Sequence, residues 1–177
     1  MKKMFYALCA LVLAMTVTGC LGNNVEDKYK DERNANLDWY NAQKASGEYT
    51  TIIASWDPMA EVLMKWYNDT MLTKDNYRPL FTSTVDVKYK GCTYDGTPFD
   101  SSYLRTSPAD SIYRDMVNNG IEGWAIALMH MHVGDSCHVI IPYAQAYGAT
   151  EISDEIIPYS MLQFDIKLVS IYAYETK

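Results

Sequence analysis

Period-two alternation dominates the second two-thirds of this chain. Ala60, Val62, Met64 and Trp66 alternate with Glu61, Leu63, Lys65 and Tyr67. Residues 82–89 repeat the pattern, with Val85, Val87 and Tyr89 set against Thr84, Asp86 and Lys88. A strand turns successive side chains to opposite faces, so both runs predict strands. Residues 161–172 put Leu162, Phe164, Ile166, Leu168 and Ser170 on one face of a third, and residues 136–141 form a fourth after the turn Val133-Gly134-Asp135. Within Tyr94-Asp95-Gly96-Thr97, an Asp-Gly pair between extended runs is a hairpin signal, because glycine accepts the positive φ of a tight turn. The exception is residues 123–131, where Trp124, Ala127, Leu128 and Met131 share a helical face. Five or so antiparallel strands and one short helix make an α+β body over residues 58–174.

The chain ahead of that body reads as an address and a tether. Lys2 and Lys3 precede an apolar run, residues 4–17, too short to span a bilayer comfortably and placed as a signal h-region. It ends in Val17-Thr18-Gly19-Cys20, which resembles the lipobox of bacterial lipoproteins: residues 1–19 are expected to leave and Cys20 to carry lipid. Residues 20–57 then form a lipidated tether and a helical extension. Residues 26–44 hold no proline or glycine, carry the pair Glu26 and Lys30, and predict a helix ending near Ser46-Gly47. Tyr29, Leu37 and Tyr40 give it only a thin apolar stripe, which favours an exposed spacer over a homodimer arm. The expected location is the cell envelope, with the protein lipid-anchored and facing the periplasm or the exterior.

Composition narrows the function. The 177 residues carry a formal net charge of −7, which argues against binding nucleic acid. Cys92 and Cys137 remain once the signal and lipid cysteines are set aside. His130, His132 and His138 fall short of the convergent set that zinc wants and are expected to be solvated or hydrogen-bonded; no metal or cofactor is expected.

Four ordered blocks resemble one family. They are Val85-Asp86-Val87-Lys88-Tyr89-Lys90-Gly91 with Asp95 to Ser102; Ile121-Glu122-Gly123-Trp124 with Met131 to Asp135; Ile140-Ile141-Pro142-Tyr143-Ala144-Gln145-Ala146-Tyr147-Gly148; and Ile156-Ile157-Pro158 with Leu162 to Leu168. Together they resemble FKBP-type peptidyl-prolyl cis-trans isomerases. The resemblance implies a strongly bent antiparallel sheet wrapped around one short helix. It implies a pocket floored by Trp124, largely buried, and walled by Tyr89, Phe99, Ile121, Tyr147, Ile156 and Phe164, with Asp100 and the Tyr147 hydroxyl as polar members. Trp124, Asp100 and Tyr147 would carry catalysis, and the others would bind substrate. Tyr103 and Tyr113 read as core aromatics, with Tyr113 also placed to stand in for the aromatic that Ser111 lacks. The chain departs from the family pattern at Gly120 in place of valine, at Ser111 where an aromatic is common, and at Ile157 in place of a first proline.

The implied chemistry is isomerisation of Xaa–Pro bonds in extracytoplasmic proteins, as an envelope folding helper. The alternative is the same fold as a non-catalytic peptide-binding or chaperone module; a cleft open over Trp124 would favour catalysis, a plugged one binding. In the family's strand order the final strand lies between the strands of Cys92 and Cys137, so two free thiols are expected despite an oxidising compartment.

Overall fold

The computed structural model describes residues 25–105 and 111–174. The lipobox-like motif with Cys20, and residues 106–110, lie outside the described residues. In chain order the elements are α1 (Val25–Lys28), α2 (Lys30–Ala45), β1 (Thr50–Ile53), β2 (Glu61–Trp66), β3 (Thr84–Thr93), β4 (Pro98–Ser101), α3 (Ser102–Arg105), β5 (Tyr113–Met116), α4 (Glu122–His130), β6 (Ser136–Ile141) and β7 (Leu162–Ala173). The strands form one antiparallel sheet in the order β1-β2-β6-β7-β3-β4, with β5 also on β3. This is the expected α+β class. Among the described residues no helix is long and apolar enough to cross a membrane.

The alternating residues do what their period dictates. Val62, Met64, Val85, Val87, Val139, Ile141, Leu162, Phe164, Ile166 and Leu168 turn inward against Ala125, Ile126, Ala127 and Leu128 of α4. Each aliphatic side chain so buried stabilises the fold by about 1.5–3 kcal/mol. The predicted hairpin forms between β3 and β4, with Gly96 at φ +89° and Asp95 accepting from Thr93 Oγ1 and the Thr97 backbone N–H.

Two short strands add to the predicted set. β1 lies within the stretch assigned to the extension, yet pairs with β2 from Thr50↔Met64 to Ile53↔Glu61, so the sheet begins before residue 58. β5 pairs Val87↔Tyr113 through Thr84↔Met116. Four-residue edge strands with one face wet carry too little alternation to announce themselves.

The helical extension requires a correction. α2 is not a free spacer, because one face of it is docked on the sheet. Tyr40, at 5 % exposure, packs with Leu63, Ile140 and Met161 on the outer face of the sheet, with Leu37, Trp39, Tyr49, Tyr94 and Tyr143 around them. The thin stripe suffices because the sheet offers apolar residues on both faces there: Leu63 beside Met64, Ile140 beside Ile141, Met161 beside Leu162, all fully buried.

The strand-order expectation for the thiols holds. Cys92 on β3 pairs with Gln163, and Cys137 on β6 with Ile166, so β7 separates them and both are free.

Candidate active site

The site is built around the start of α4. Gly123 lets the helix approach β6: a Cβ there would lie 2.3 Å from Ile141 Cγ2. The next residue, Trp124, turns its indole into a cavity of about 130 Å³ between helix and sheet. The ring meets Tyr89 at 5.0 Å and Phe164 at 5.3 Å, both edge-on, and Phe99 meets Phe164 at 5.6 Å. Edge-to-face pairs of this kind add about 0.5–1.5 kcal/mol each beyond area burial, so the walls support one another. Gly91 makes the last pair possible: a Cβ there would fall 2.7 Å from Phe164 and 2.8 Å from Phe99.

Asp100 does not face the cavity as a free carboxylate. Its Oδ2 accepts from the Tyr89 hydroxyl at 2.8 Å and its Oδ1 from Arg105 Nε at 2.7 Å. Burial, and then the Asp100 carboxylate, push the Tyr89 phenol well above its ordinary value, so it remains a donor throughout the physiological range. The same carboxylate raises Arg105 further. The Ser102 hydroxyl accepts from the Tyr89 backbone N–H at 3.1 Å and fixes α3 beside β3. Opposite, the Tyr113 hydroxyl donates to Asp115 Oδ2 at 2.8 Å, and Asp115 Oδ1 accepts from the Met116 backbone N–H and Asn119 Nδ2. Burial first and this carboxylate second raise the Tyr113 phenol.

Tyr147 stands at the mouth, 38 % exposed, after the turn Tyr143–Gln145 and before Gly148 at φ +61°. Its hydroxyl has no hydrogen-bond partner among the described residues. The cavity therefore presents an aromatic floor, two tied carboxylates, Asp100 and Asp115, and the unengaged phenol of Tyr147. That arrangement can hold an apolar ring and orient a carbonyl; among the described residues it contains no activated nucleophile.

Of the residues singled out from the sequence, Trp124, Tyr89, Phe99, Asp100, Ile121, Tyr147 and Phe164 all line this cavity. Ile156 does not: at 5 % exposure it packs in the main core, held by its N–H donating to Ser153 Oγ and its carbonyl accepting from the Ile152 N–H. Trp124 is half-buried rather than largely buried, because one side of the ring is the cavity floor. Tyr113 lines the cavity instead of the core, 5.7 Å from Tyr89, and supplies an aromatic wall near Ser111. Tyr103 is 50 % exposed, with Lys90 over its ring.

Arg105, Asp115, Met116 and Val117 also line the cavity and were not anticipated from sequence. Arg105 alone had a usable signal, being a cation five residues after Asp100. The histidines are hydrogen-bonded: His130 to the Ile126 carbonyl, His132 accepting from Arg78, His138 to Asp165. No group of three or more His, Cys, Asp or Glu among the described residues is arranged to hold a metal.

Comparison with known proteins agrees with this geometry. A family model described as FKBP-type peptidyl-prolyl cis-trans isomerase matches residues 77–169. The chain is 43 % identical over 93 residues to the macrophage infectivity potentiator of Trypanosoma cruzi, covering 52 % of this chain and 45 % of that one. It is 41 % identical over 93 residues to the FKBP-type 22 kDa peptidyl-prolyl cis-trans isomerase of Escherichia coli K12, covering 52 % and 43 %. The chain thus spans less than half the length of these relatives. Among solved structures it resembles a peptidyl-prolyl cis-trans isomerase from Pseudomonas syringae, with a TM-score of 0.66 and 25 % identity over 81 % of this chain and 95 % of that one.

Proposed function

The chain belongs to the FKBP-type peptidyl-prolyl cis-trans isomerase family, and from that premise we propose that it accelerates rotation about Xaa–Pro bonds of proline-containing polypeptides outside the cytoplasm, as a folding helper of the cell envelope. The observation that carries this reading is the cavity over Trp124, which no described side chain fills. A plugged pocket would have favoured the alternative, a non-catalytic peptide-binding module.

The mechanism follows from the physics of the amide. The planar form is held by resonance and resists rotation by about 18–20 kcal/mol. Twisting removes resonance and makes the group less polar. An aromatic cavity therefore favours the twisted form over the planar one, which water solvates better. This is differential binding of the transition state, and no bond is broken. Tyr89, Phe99, Ile121, Trp124 and Phe164 supply the apolar surface, with the prolyl ring against the indole. The Tyr147 hydroxyl donates to a substrate carbonyl and sets its orientation. Asp100, engaged by Tyr89 and Arg105, orders the wall on which Phe99 stands and adds a local field.

The same reading extends to the N-terminus. The Val17-Thr18-Gly19-Cys20 motif supports a lipid anchor at Cys20 on an envelope membrane. A relative from Legionella longbeachae, 36 % identical over 94 residues, is named an outer membrane protein. Loss of fatty-acid labelling on Cys20→Ser would support the anchor, and undiminished labelling would remove it.

The isomerase assignment is tested with a protease-coupled proline peptide. The wild-type chain is expected to accelerate isomerisation, and Tyr147→Phe to lower kcat/KM by about fivefold, the worth of one oriented hydrogen bond of about 1 kcal/mol. Melting should be unchanged, since that hydroxyl bonds to no described residue. No acceleration by wild type refutes the assignment, and an unchanged rate for Tyr147→Phe removes that residue from the site.

A further inference from the structure

Helix α2 reaches past the sheet it covers to the loop of residues 148–160, which begins immediately after Tyr147. Asn36, only 2 % exposed, accepts from the Met161 backbone N–H at 2.7 Å, while its amide donates to the Glu32 carbonyl at 2.8 Å. One turn earlier, the Arg33 guanidinium lies 5.4 Å over the Tyr159 ring. Arg33 Nε is buried with no hydrogen-bond partner among the described residues, so the ring face is what compensates that part of the side chain. Tyr29, another turn back, donates its hydroxyl to Glu151 Oε2 at 3.2 Å. Arg33 and Asn36 share one face of α2, Tyr29 precedes its first turn, and all three touch the segment of residues 151–161.

Tyr159 links this face to the cavity. It adopts φ +67°, in the left-handed region, where a residue with a Cβ is strained by about 1–2 kcal/mol. The strain persists because the ring is fixed from two sides, by Arg33 and by Tyr143 at 5.3 Å edge-on. In this conformation the Tyr159 N–H donates to the Gly148 carbonyl at 2.8 Å, closing the base of the loop, and the Gly148 N–H donates to the Tyr143 carbonyl at 2.8 Å. Gly148 is bonded to Tyr147. A continuous series of contacts thus runs from α2 through Tyr159 and Gly148 to the phenol at the cavity mouth.

We propose that α2 is a positioning element of the active site: Arg33 and Asn36 hold Tyr159 in its strained backbone and thereby orient the Tyr147 hydroxyl toward substrate. The N-terminal extension then sets how tightly the cavity holds a peptide carbonyl. This inference rests on the role given to Tyr147 above.

The test uses the full chain with Arg33→Ala and, separately, Asn36→Ala. Both are expected to raise KM for an Xaa–Pro peptide by about 2- to 5-fold, no more than loss of the Tyr147 hydroxyl itself costs, with kcat within about twofold. In a Tyr147→Phe background neither should have any further effect. Hydrogen exchange gives a second readout: the amides of Gly148 and Tyr159, which α2 does not bond, should exchange faster, while Ile166 on β7 keeps its protection. Unchanged KM with unchanged Gly148 and Tyr159 exchange overturns the proposal. So does a KM effect that persists in the Tyr147→Phe background, or a loss of protection shared equally by β7, since each marks α2 as a general prop. If Asn36→Ala does not fold, Arg33→Ala decides alone. A wild-type chain inactive on the peptide refutes the isomerase reading, and exchange at Gly148 and Tyr159 still decides the coupling.

Discussion

Substituting Gly123 by alanine separates the packing of α4 from its intrinsic helical preference. In an exposed helix, Gly→Ala gains up to about 1 kcal/mol. Here the added Cβ would sit 2.3 Å from Ile141 Cγ2, 2.9 Å from Cγ1 and 3.0 Å from Cδ1. Carbon atoms prefer about 3.5–4.0 Å, so helix and strand must part by more than 1 Å or Ile141 must leave its rotamer. Ile141 is fully buried and has little free space to enter. Overpacking of this kind costs about 1–3 kcal/mol. Set against the full helical gain, Gly123→Ala is expected to lose up to about 2 kcal/mol, read as a lower urea midpoint at constant m. Parting the helix from the sheet also moves Trp124, the adjoining residue, and a shift of about 1 Å at a site can cost on the order of a hundredfold in rate. Isomerase activity should therefore fall further than stability explains. Ile141→Ala removes all three clashing atoms but leaves a cavity, costing about 2–5 kcal/mol alone. The double variant should be more stable than the sum of the two losses by about 1 kcal/mol or more, because the new methyl enters the vacated space. Additivity within about 0.5 kcal/mol, or a Gly123→Ala variant as stable and active as wild type, would refute the close-approach argument.

Tyr89→Phe leaves Asp100 with Arg105 as its remaining donor; a loss of about 1 kcal/mol in denaturant unfolding and a severalfold lower kcat/KM are expected, and unchanged activity would show that the wall does not need this bond. Burial alone would raise the fully enclosed Asp135 carboxyl, but donation from Thr73, Asn68 and the His132 N–H outweighs it and holds the group below the ordinary carboxylate range. A depressed folded value means stability that is present above the unfolded value and lost as pH falls from about 4 through the folded one. Asp135→Asn should therefore unfold more easily at neutral pH and show a flatter acid limb, and an unaltered limb would assign acid sensitivity to another carboxylate. Thiol titration should find Cys92, half-buried and itself raised by burial, reacting slowly in the native chain, and Cys137, whose thiol burial raises well above its ordinary value, only after unfolding; a chain of residues 25–177 with fewer than two titratable thiols would contradict the strand order.

The period-two runs, the Asp-Gly hairpin and the apolar segment at residues 123–131 determined the class and layout of the body, because alternation and turn chemistry are local and are written wherever a strand buries one face. The ordered blocks located most of the cavity through their resemblance to one family: Tyr89, Phe99, Trp124, Tyr147 and Phe164 were placed by their positions in those blocks, not by any period. What the sequence could not decide lay in contacts between distant segments. Ile156 packs in the core rather than on the cavity, and Tyr113 takes the wall position left by Ser111 rather than a core position, since whether an apolar residue faces a cavity or the core depends on how its loop closes. The thin stripe of α2 looked too weak to dock, and the complementary apolar residues of Leu63, Ile140 and Met161 became visible only once β2, β6 and the start of β7 lay side by side. Arg105 reached Asp100 through the turn of α3, and Gly91 made room for two rings from β4 and β7. Each of these depends on a distance across the fold, which no period along the chain encodes.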